Sequence, residues 1–372
     1  MADSISKYFQ DLPDPRSDRG KRHVLTDMLL LTVCAVICGA DGWVEVEDFG
    51  RAKEGWLRLF LKLPHGVPSH DTLGRVFARL DPQALETCLM SWFKHLAQIH
   101  RGQLIAIDGK TSRHSFDTAS KKAAIHMVSA WCEANHLVLG QLATDAKSNE
   151  ITAIPKLLEL LDLADAVVTI DAMGCQKAIA AQIIDQGGDY VLGLKGDQGT
   201  LHQRVQRLFD EAFTNGWAGV RHGYHETIEK DHGRIETRRF WCTDQIDWVR
   251  RRHAWPGLRT VACVESQRTV GDQTSTERRY YLSSLDAEHP KRIAEAIRGH
   301  WGIENRLHWS LDVTFREDDC RVRQGHGAEH LARFRRIAVS LLKRETTFRA
   351  GLKRKRLRCA LDPDYLTRVI AL

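Results

Sequence analysis

The first hundred residues carry helical periodicity and no strand pattern. Leu25–Cys38 is apolar on nearly every side, as in a helix buried all round, whereas Val44–Leu61 and Asp81–His100 repeat apolar positions every three to four residues, the mark of helices with one buried face. The turns Gly39-Ala-Asp-Gly and Lys62–Pro68 separate them. Gly66-Val-Pro-Ser-His-Asp-Thr offers Ser69 as the N-cap of a short helix, on which Arg75 and Arg79, four apart, share a face. That layout suits the recognition helix of a helix-turn-helix, and equally a small bundle helix with two solvated arginines.

From Gln103 the texture changes. Leu104–Ile107, Ile125–Trp131 and Leu137–Thr144 are apolar runs of strand length, expected to form an antiparallel meander. Helix Ile151–Leu161, strand Ala166–Ile170, helix Gln176–Gln186 and strand Tyr190–Leu194 complete a β-β-β-α-β-α-β order, that of an RNase H-like core. After a helix at Thr200–Ala212, the pieces Arg238–Cys242, Thr260–Glu265 and Arg278–Leu282 read as a β-rich insertion. Helical periodicity returns in Pro290–Ser310 and Gly327–Arg344, followed by the polybasic Lys353-Arg-Lys-Arg-Leu-Arg358. The predicted class is therefore α/β (α+β): a helical domain over 1–100, an RNase H-like core over 101–196, a β-rich insertion over 197–295, returning core helices over 296–350 and a basic tail over 351–372.

Charge sharpens this picture. The 372-residue chain carries +6 overall, but residues 319–358 hold 13 Lys/Arg against three acids, a local +10 that leaves −4 elsewhere. Such asymmetry points to a polyanion, nucleic acid first, for one region. The 9 cysteines are odd in number, scattered and never form Cys-x-x-Cys, so neither a disulfide framework nor a zinc ribbon is indicated and a reducing cytoplasm is expected. The longest apolar run, Met28 to Ala40, is too short for a bilayer, and the polar N-terminus does not read as a signal peptide.

Asp108 directly follows the apolar run Leu104–Ile107 and Asp171 follows Val167–Ile170, so both carboxylates are expected at strand ends along one sheet edge. Hard oxygen ligands on neighbouring strands suit Mg²⁺, which keeps several waters and takes its other ligands from phosphate. Each aspartate also has a plain structural use, Asp108-Gly109 as a hairpin signal and Asp171 as a helix cap. Glu304, on the returning helix His300-Trp-Gly-Ile-Glu-Asn-Arg-Leu-His-Trp309, is the candidate third carboxylate. Ile297, His300, Trp301, Glu304 and His308 recur along one side of it at helical spacing. The acidic run Glu317-Asp318-Asp319 is expected to form local ion pairs rather than bind metal, and His326-Gly-Ala-Glu-His330, which fits a zinc-peptidase pattern, is expected to be chance.

Ile107-Asp-Gly-Lys-Thr, Thr169-Ile-Asp-Ala, Leu194-Lys-Gly-Asp-Gln, His300-Trp-Gly-Ile-Glu-Asn and Leu331-Ala-Arg-Phe-Arg-Arg-Ile-Ala, with Asp14-Pro-Arg and the Gly66–Phe77 segment, closely resemble the insertion-sequence DDE transposases of the H-repeat-associated (ISAs-type) family over nearly the whole length. The resemblance implies a catalytic and metal-binding triad of Asp108, Asp171 and Glu304, two Mg²⁺ ions with Mn²⁺ able to substitute, and cleavage and strand transfer at terminal inverted repeats. The partner it implies is double-stranded DNA, both element ends and target, bound by a homodimer in the bacterial cytoplasm at the nucleoid, with no membrane. The superfamily's Tyr, Arg, Glu and Lys pattern falls on Ile297, His300, Glu304 and Leu311, leaving His300, Arg298 or Arg306 to grip phosphate. Lys110, Arg113 and Lys195, near strand ends, are candidate contacts to the scissile strand or solvated surface residues, and Arg335 and Arg336 are candidate contacts in the basic region. Trp241 is placed by the resemblance as a base-stacking aromatic, with a strand-buried tryptophan as the alternative. The competing functions are a DNA-binding protein without catalysis and an RNase H-like nuclease that never joins strands.

Overall fold

The computed structural model describes residues 7–96, 103–116, 123–144, 150–231 and 234–370; the start of the polar N-terminal stretch and the expected reach of the third helix to His100 lie outside them. Two units share the chain, one of Met1–Ile99, Gly109–Asn149 and Ile303–Leu372, the other of His100–Asp108 and Glu150–Gly302.

The first unit opens with α1 (Leu25–Cys38), buried along almost its whole length as its composition demands. The expected Val44–Leu61 helix divides at Lys53 (φ −115°, ψ 15°) into α2 (Trp43–Ala52) and α3 (Glu54–Leu57). In α4 (His70–Arg79), Ser69 caps the first turn by accepting the Thr72 N–H at 3.3 Å, and α5 (Pro82–Leu96) follows. Trp43 stacks on Phe77 with centroids 4.8 Å apart, which packs α2 on α4.

β1 (Leu104–Thr111) starts in the second unit and ends in the first, changing at Asp108/Gly109. In the first unit β2 (His126–Cys132) and β3 (Leu137–Ala143) form an antiparallel hairpin with an irregularity at Ala130/Trp131. The second unit continues through α6 (Glu150–Glu159), β4 (Val167–Ile170), α7 (Lys177–Asp185), β5 (Asp189–Leu194) and α8 (Thr200–Thr214). β6 (Gly223–Asp231), β7 (Arg234–Thr243), α9 (Asp247–His253), β8 (Thr260–Val270), β9 (Gln273–Ser283) and α10 (Pro290–Gly302) complete it.

The strand order in the second unit is β1-β4-β5-β9-β8-β7-β6, with β1, β4 and β5 parallel and the rest antiparallel. Four consecutive buried residues in β4 are what a parallel strand covered on both faces requires. The β-rich insertion continues this sheet, since β9 pairs with β5 from Val191↔Ser283 to Leu194↔Tyr280. α10 lays Ile293, Ala294 and Ile297 on Val167, Val191, Phe240 and Val264. Gly299 allows this approach, because a Cβ there would fall 1.9 Å from Leu104 Cδ2. The expected α/β class, with RNase H-like strand order, a β-rich insertion and helices ahead of it, is what the chain forms.

The first unit resumes with a π-helical turn at Ile303–His308, then α11 (Trp309–Val313), α12 (Gly327–Arg344), α13 (Leu352–Leu361) and α14 (Pro363–Ile370). α12 and α13 pack on α1. The polybasic stretch is thus folded: Lys355 is buried, its Nζ donating to the Leu342 carbonyl at 2.8 Å, and Arg356 donates to the carbonyls of Val36 at 3.0 Å and Ile37 at 3.3 Å. Among the described residues no single helix is long and apolar enough to cross a membrane, although α1 and α2 pass together as a pair bent by 94°.

Candidate active site

The register Ile107↔Ile170 makes Asp108 and Asp171 the next positions on two adjacent parallel strands, just past the end of their paired stretch; Asp171 follows the last residue of β4, whereas Asp108, expected at a strand end, lies within β1, which runs on to Thr111. Asp171 Oδ1 accepts the Met173 N–H at 3.0 Å, so its structural use is real as well. Burial, and then the negative charge of Glu150, raise the Asp171 carboxyl above the usual carboxylate range, against the lowering effect of the Met173 and Gly174 N–H groups and of Lys195. Two hard donors crowded by a third carboxylate at a partly desolvated edge form a donor set that a divalent cation relieves. Among the described residues no group of three or more His, Cys, Asp or Glu is assembled as a cage. Glu150 was not anticipated: an acid in the first turn of an amphipathic helix has no signature separating it from an ordinary helix start.

His300 belongs to this unit and makes a structural contact there. Its Nδ1 lies 3.1 Å from Thr169 Oγ1, two residues before Asp171, and burial brings its pKa down to about 4, so the ring is neutral and ties α10 to β4. Arg298 is ion-paired with Glu229. Lys195 is exposed after β5, beside the Asp171 edge.

Trp241 is half-buried against Phe213 (centroids 4.7 Å) and Tyr224 (5.5 Å). The arginines around it are already engaged. Arg239 pairs with Glu226 at 3.0 Å and Glu265 at 3.3 Å, Arg278 with Glu265 at 2.9 Å, and Arg238 with Glu229 at 3.0 Å. These contacts favour the packed tryptophan.

In the first unit, Glu304 stands exposed on the π-helical turn, between the buried Ile303 and Leu307. That turn breaks the even helical spacing expected from Ile297 to His308; such bulges recur at functional sites. Arg306 pairs with Glu133. Arg75 and Arg79 are exposed on α4 as expected, and Arg113 is exposed with Nε 3.4 Å from Asp318.

Three expected DNA contacts are corrected. Lys110 is 8% exposed and held by Asp312 at 2.6 Å and Asp318 at 3.3 Å. Arg336, 0% exposed, is paired with Glu317 at 2.6 Å, and Arg335, 1% exposed, donates to the Asp41 carbonyl at 3.0 Å. None of the three presents its charge to solvent. The acidic run does form ion pairs, both with these buried cations and with exposed arginines, Asp318 with Arg113 at 3.4 Å and Asp319 with Arg316 at 3.0 Å. His330 is buried with Nε2 3.1 Å from the Leu80 carbonyl, and Glu329 pairs with Arg333 at 2.7 Å, so the zinc-like spacing builds a helix contact.

A family model described as transposase DDE domain matches residues 99–341, and one described as DDE_Tnp_1-associated matches 6–93. The "H repeat-associated putative transposase YhhI" of Escherichia coli K12 is 41% identical over 372 residues, 99% of this chain and 97% of that protein. The "Putative transposase YncI" of Escherichia coli O157:H7 is 43% identical over 99% of this chain and 94% of its own length. A solved piggyBac transposase synaptic complex with hairpin DNA is similar at 10% identity and TM-score 0.43, covering 99% of this chain and 78% of that one, too loose a likeness to bear on the fold. With both the domain model and full-length relatives in agreement, the chain belongs to the DDE transposases, in the H repeat-associated family.

Proposed function

We propose that this transposase binds the terminal inverted repeats of an insertion sequence and cuts and joins DNA strands with a divalent metal, Mg²⁺ in two copies or Mn²⁺ in its place. The observation that supports this most is the register that makes Asp108 and Asp171 neighbours on adjacent parallel strands. Asp108 and Asp171, with Glu304 as third carboxylate, are the residues to hold the ions, which when bound supply an activated oxygen nucleophile and offset charge on the leaving oxygen. The chain's own part is positioning. The Met173 N–H orients the Asp171 carboxylate, His300 anchors α10 to β4 through Thr169, and Lys195 brings positive charge to the edge where a phosphate would sit. Arg75 and Arg79 on α4 are the leading contacts to the DNA backbone, which orients a duplex without reading its sequence. The protein acts as a homodimer on double-stranded DNA in the bacterial cytoplasm.

The test is incubation of the purified protein with linear DNA carrying the element's ends and Mn²⁺ or Mg²⁺. Cleaved and joined products are expected, abolished in Asp108→Asn, Asp171→Asn and Glu304→Gln while end binding persists. Asp319→Asn, exposed in the nearby acidic run, should cleave normally. Cleavage undiminished in Glu304→Gln would remove that residue from the triad, and cleavage without joining would make the protein a nuclease.

A further inference from the structure

Lys110 follows Asp108 by two residues on β1, yet its ammonium is turned into the first unit. Its Nζ lies 2.6 Å from Asp312 Oδ1, 3.3 Å from Asp318 Oδ1 and 3.9 Å from Glu317 Oε2. Glu317, 1% exposed, gives its other oxygen to Arg336 Nη1 at 2.6 Å, and Arg336 Nε donates to Ser129 Oγ on β2 at 3.1 Å. The backbone joins the same knot: Ser112 Oγ donates to the Glu317 carbonyl at 3.2 Å and the Arg113 N–H to Asp318 Oδ1 at 3.2 Å.

Lys110, Glu317 and Arg336 are buried while Asp312 and Asp318 reach solvent, and buried charges add little to stability that well-packed apolar residues would not supply. What they specify is geometry, since each partner accepts the other in one arrangement. The two segments they join are the continuation of the strand that carries Asp108 and the helix and loop that follow Glu304.

We propose that Lys110 is a positioning residue, the centre of a clasp with Asp312, Glu317 and Asp318 that fixes β1 just beyond Asp108 and so the direction in which that strand presents the Asp108 carboxylate beside Asp171. The proposal rests on the triad assignment above. A displacement of about 1 Å at reacting groups is enough to cost roughly 100-fold in rate.

The test uses the full chain with Lys110→Met/Asp312→Asn, which removes one positive and one negative charge together, and Lys110→Arg, which keeps the cation. Each is assayed for thermal midpoint, binding to end DNA, the Mn²⁺ concentration giving half-maximal cleavage, and Mn²⁺ binding by titration calorimetry without DNA. The double variant is expected to keep end binding, to need at least tenfold more Mn²⁺ in both metal readouts and to cleave about 100-fold more slowly, with Lys110→Arg recovering most of the loss. A double variant with wild-type Mn²⁺ binding and cleavage overturns the proposal, as does a lowered thermal midpoint with unchanged metal requirement in the folded fraction. If wild type and Asp108→Asn bind Mn²⁺ equally and neither cleaves, the triad assignment has failed and this proposal falls with it.

Discussion

Arg336→Met separates two meanings of a basic helix. The arginine has no exposed surface, and Glu317, its partner at 2.6 Å, keeps only Lys110 at 3.9 Å once it is gone. Removing one member of a buried pair costs about 3–5 kcal/mol, because the other charge stays desolvated. For a unit of this size each kcal/mol lowers the thermal midpoint by about 2–4 °C, so a fall of roughly 6–20 °C is expected. Arg336→Met/Glu317→Leu, which removes both charges, should regain most of it. A phosphate contact behaves otherwise: its loss leaves the midpoint alone and flattens log K against log salt by about 0.9. Thermal melts paired with anisotropy titrations on end DNA over several salt concentrations read both quantities. Arg75→Gln/Arg79→Gln is the comparison, expected to hold its midpoint while the slope falls by nearly 2. An Arg336→Met protein with an unchanged midpoint and a flattened slope would refute the burial argument and return this arginine to the DNA surface.

Two further outcomes follow from the second unit. The folded His300 pKa is depressed to about 4 by burial, so its contribution is fully present above its ordinary value near 6.5 and is lost as pH falls towards 4; wild type should lose more thermal midpoint between pH 7 and 5 than His300→Gln, and equal losses would contradict the assignment. Gly174→Ala would place a Cβ 2.3 Å from Ile170 Cγ2 and 2.9 Å from Ile154 Cδ1, overpacking by about 1–3 kcal/mol and shifting the turn that carries Asp171; calorimetric Mn²⁺ binding is expected to weaken more than thermal melts report destabilisation.

The sequence marks those elements whose burial is uniform along the chain. α1 and α12 have the bounds that periodicity predicts, and the apolar runs ending at Asp108 and Asp171 are the paired parallel strands. β6 escaped notice because Tyr224, Glu226, Ile228 and Lys230 face solvent, while on the other side His225 and Thr227 are half-buried and Glu229 is exposed, so neither side is consistently apolar. The charge count over 319–358 located a basic region but not where its charges point: beyond the i,i+4 pair of Arg333 with Glu329, Arg333 and Arg336 are spent on Glu86 and Glu317, acids at separations no local pattern reveals. Lys110 failed for the same reason, its partners lying some two hundred residues onward. The carboxylate edge was legible because strand adjacency follows from local pattern plus β/α order, whereas Glu150 required the tertiary fold.

The docking of α13 changes what damage to the end of the gene would mean. Arg356 donates to the carbonyls of Val36 and Ile37 at the C-terminal end of α1, and its guanidinium lies 4.1 Å from the Phe315 ring centroid. The last carbonyls of a helix lack the usual partners one turn on, and although the Val36 carbonyl also accepts the Gly39 N–H at 3.3 Å, Arg356 from the far end of the chain adds to the finish of one of its first helices. A frameshift or stop codon just after Gly351 would therefore remove more than a DNA-gripping appendage. It would strip the cover from the opening core helix, so such a late lesion is one of folding.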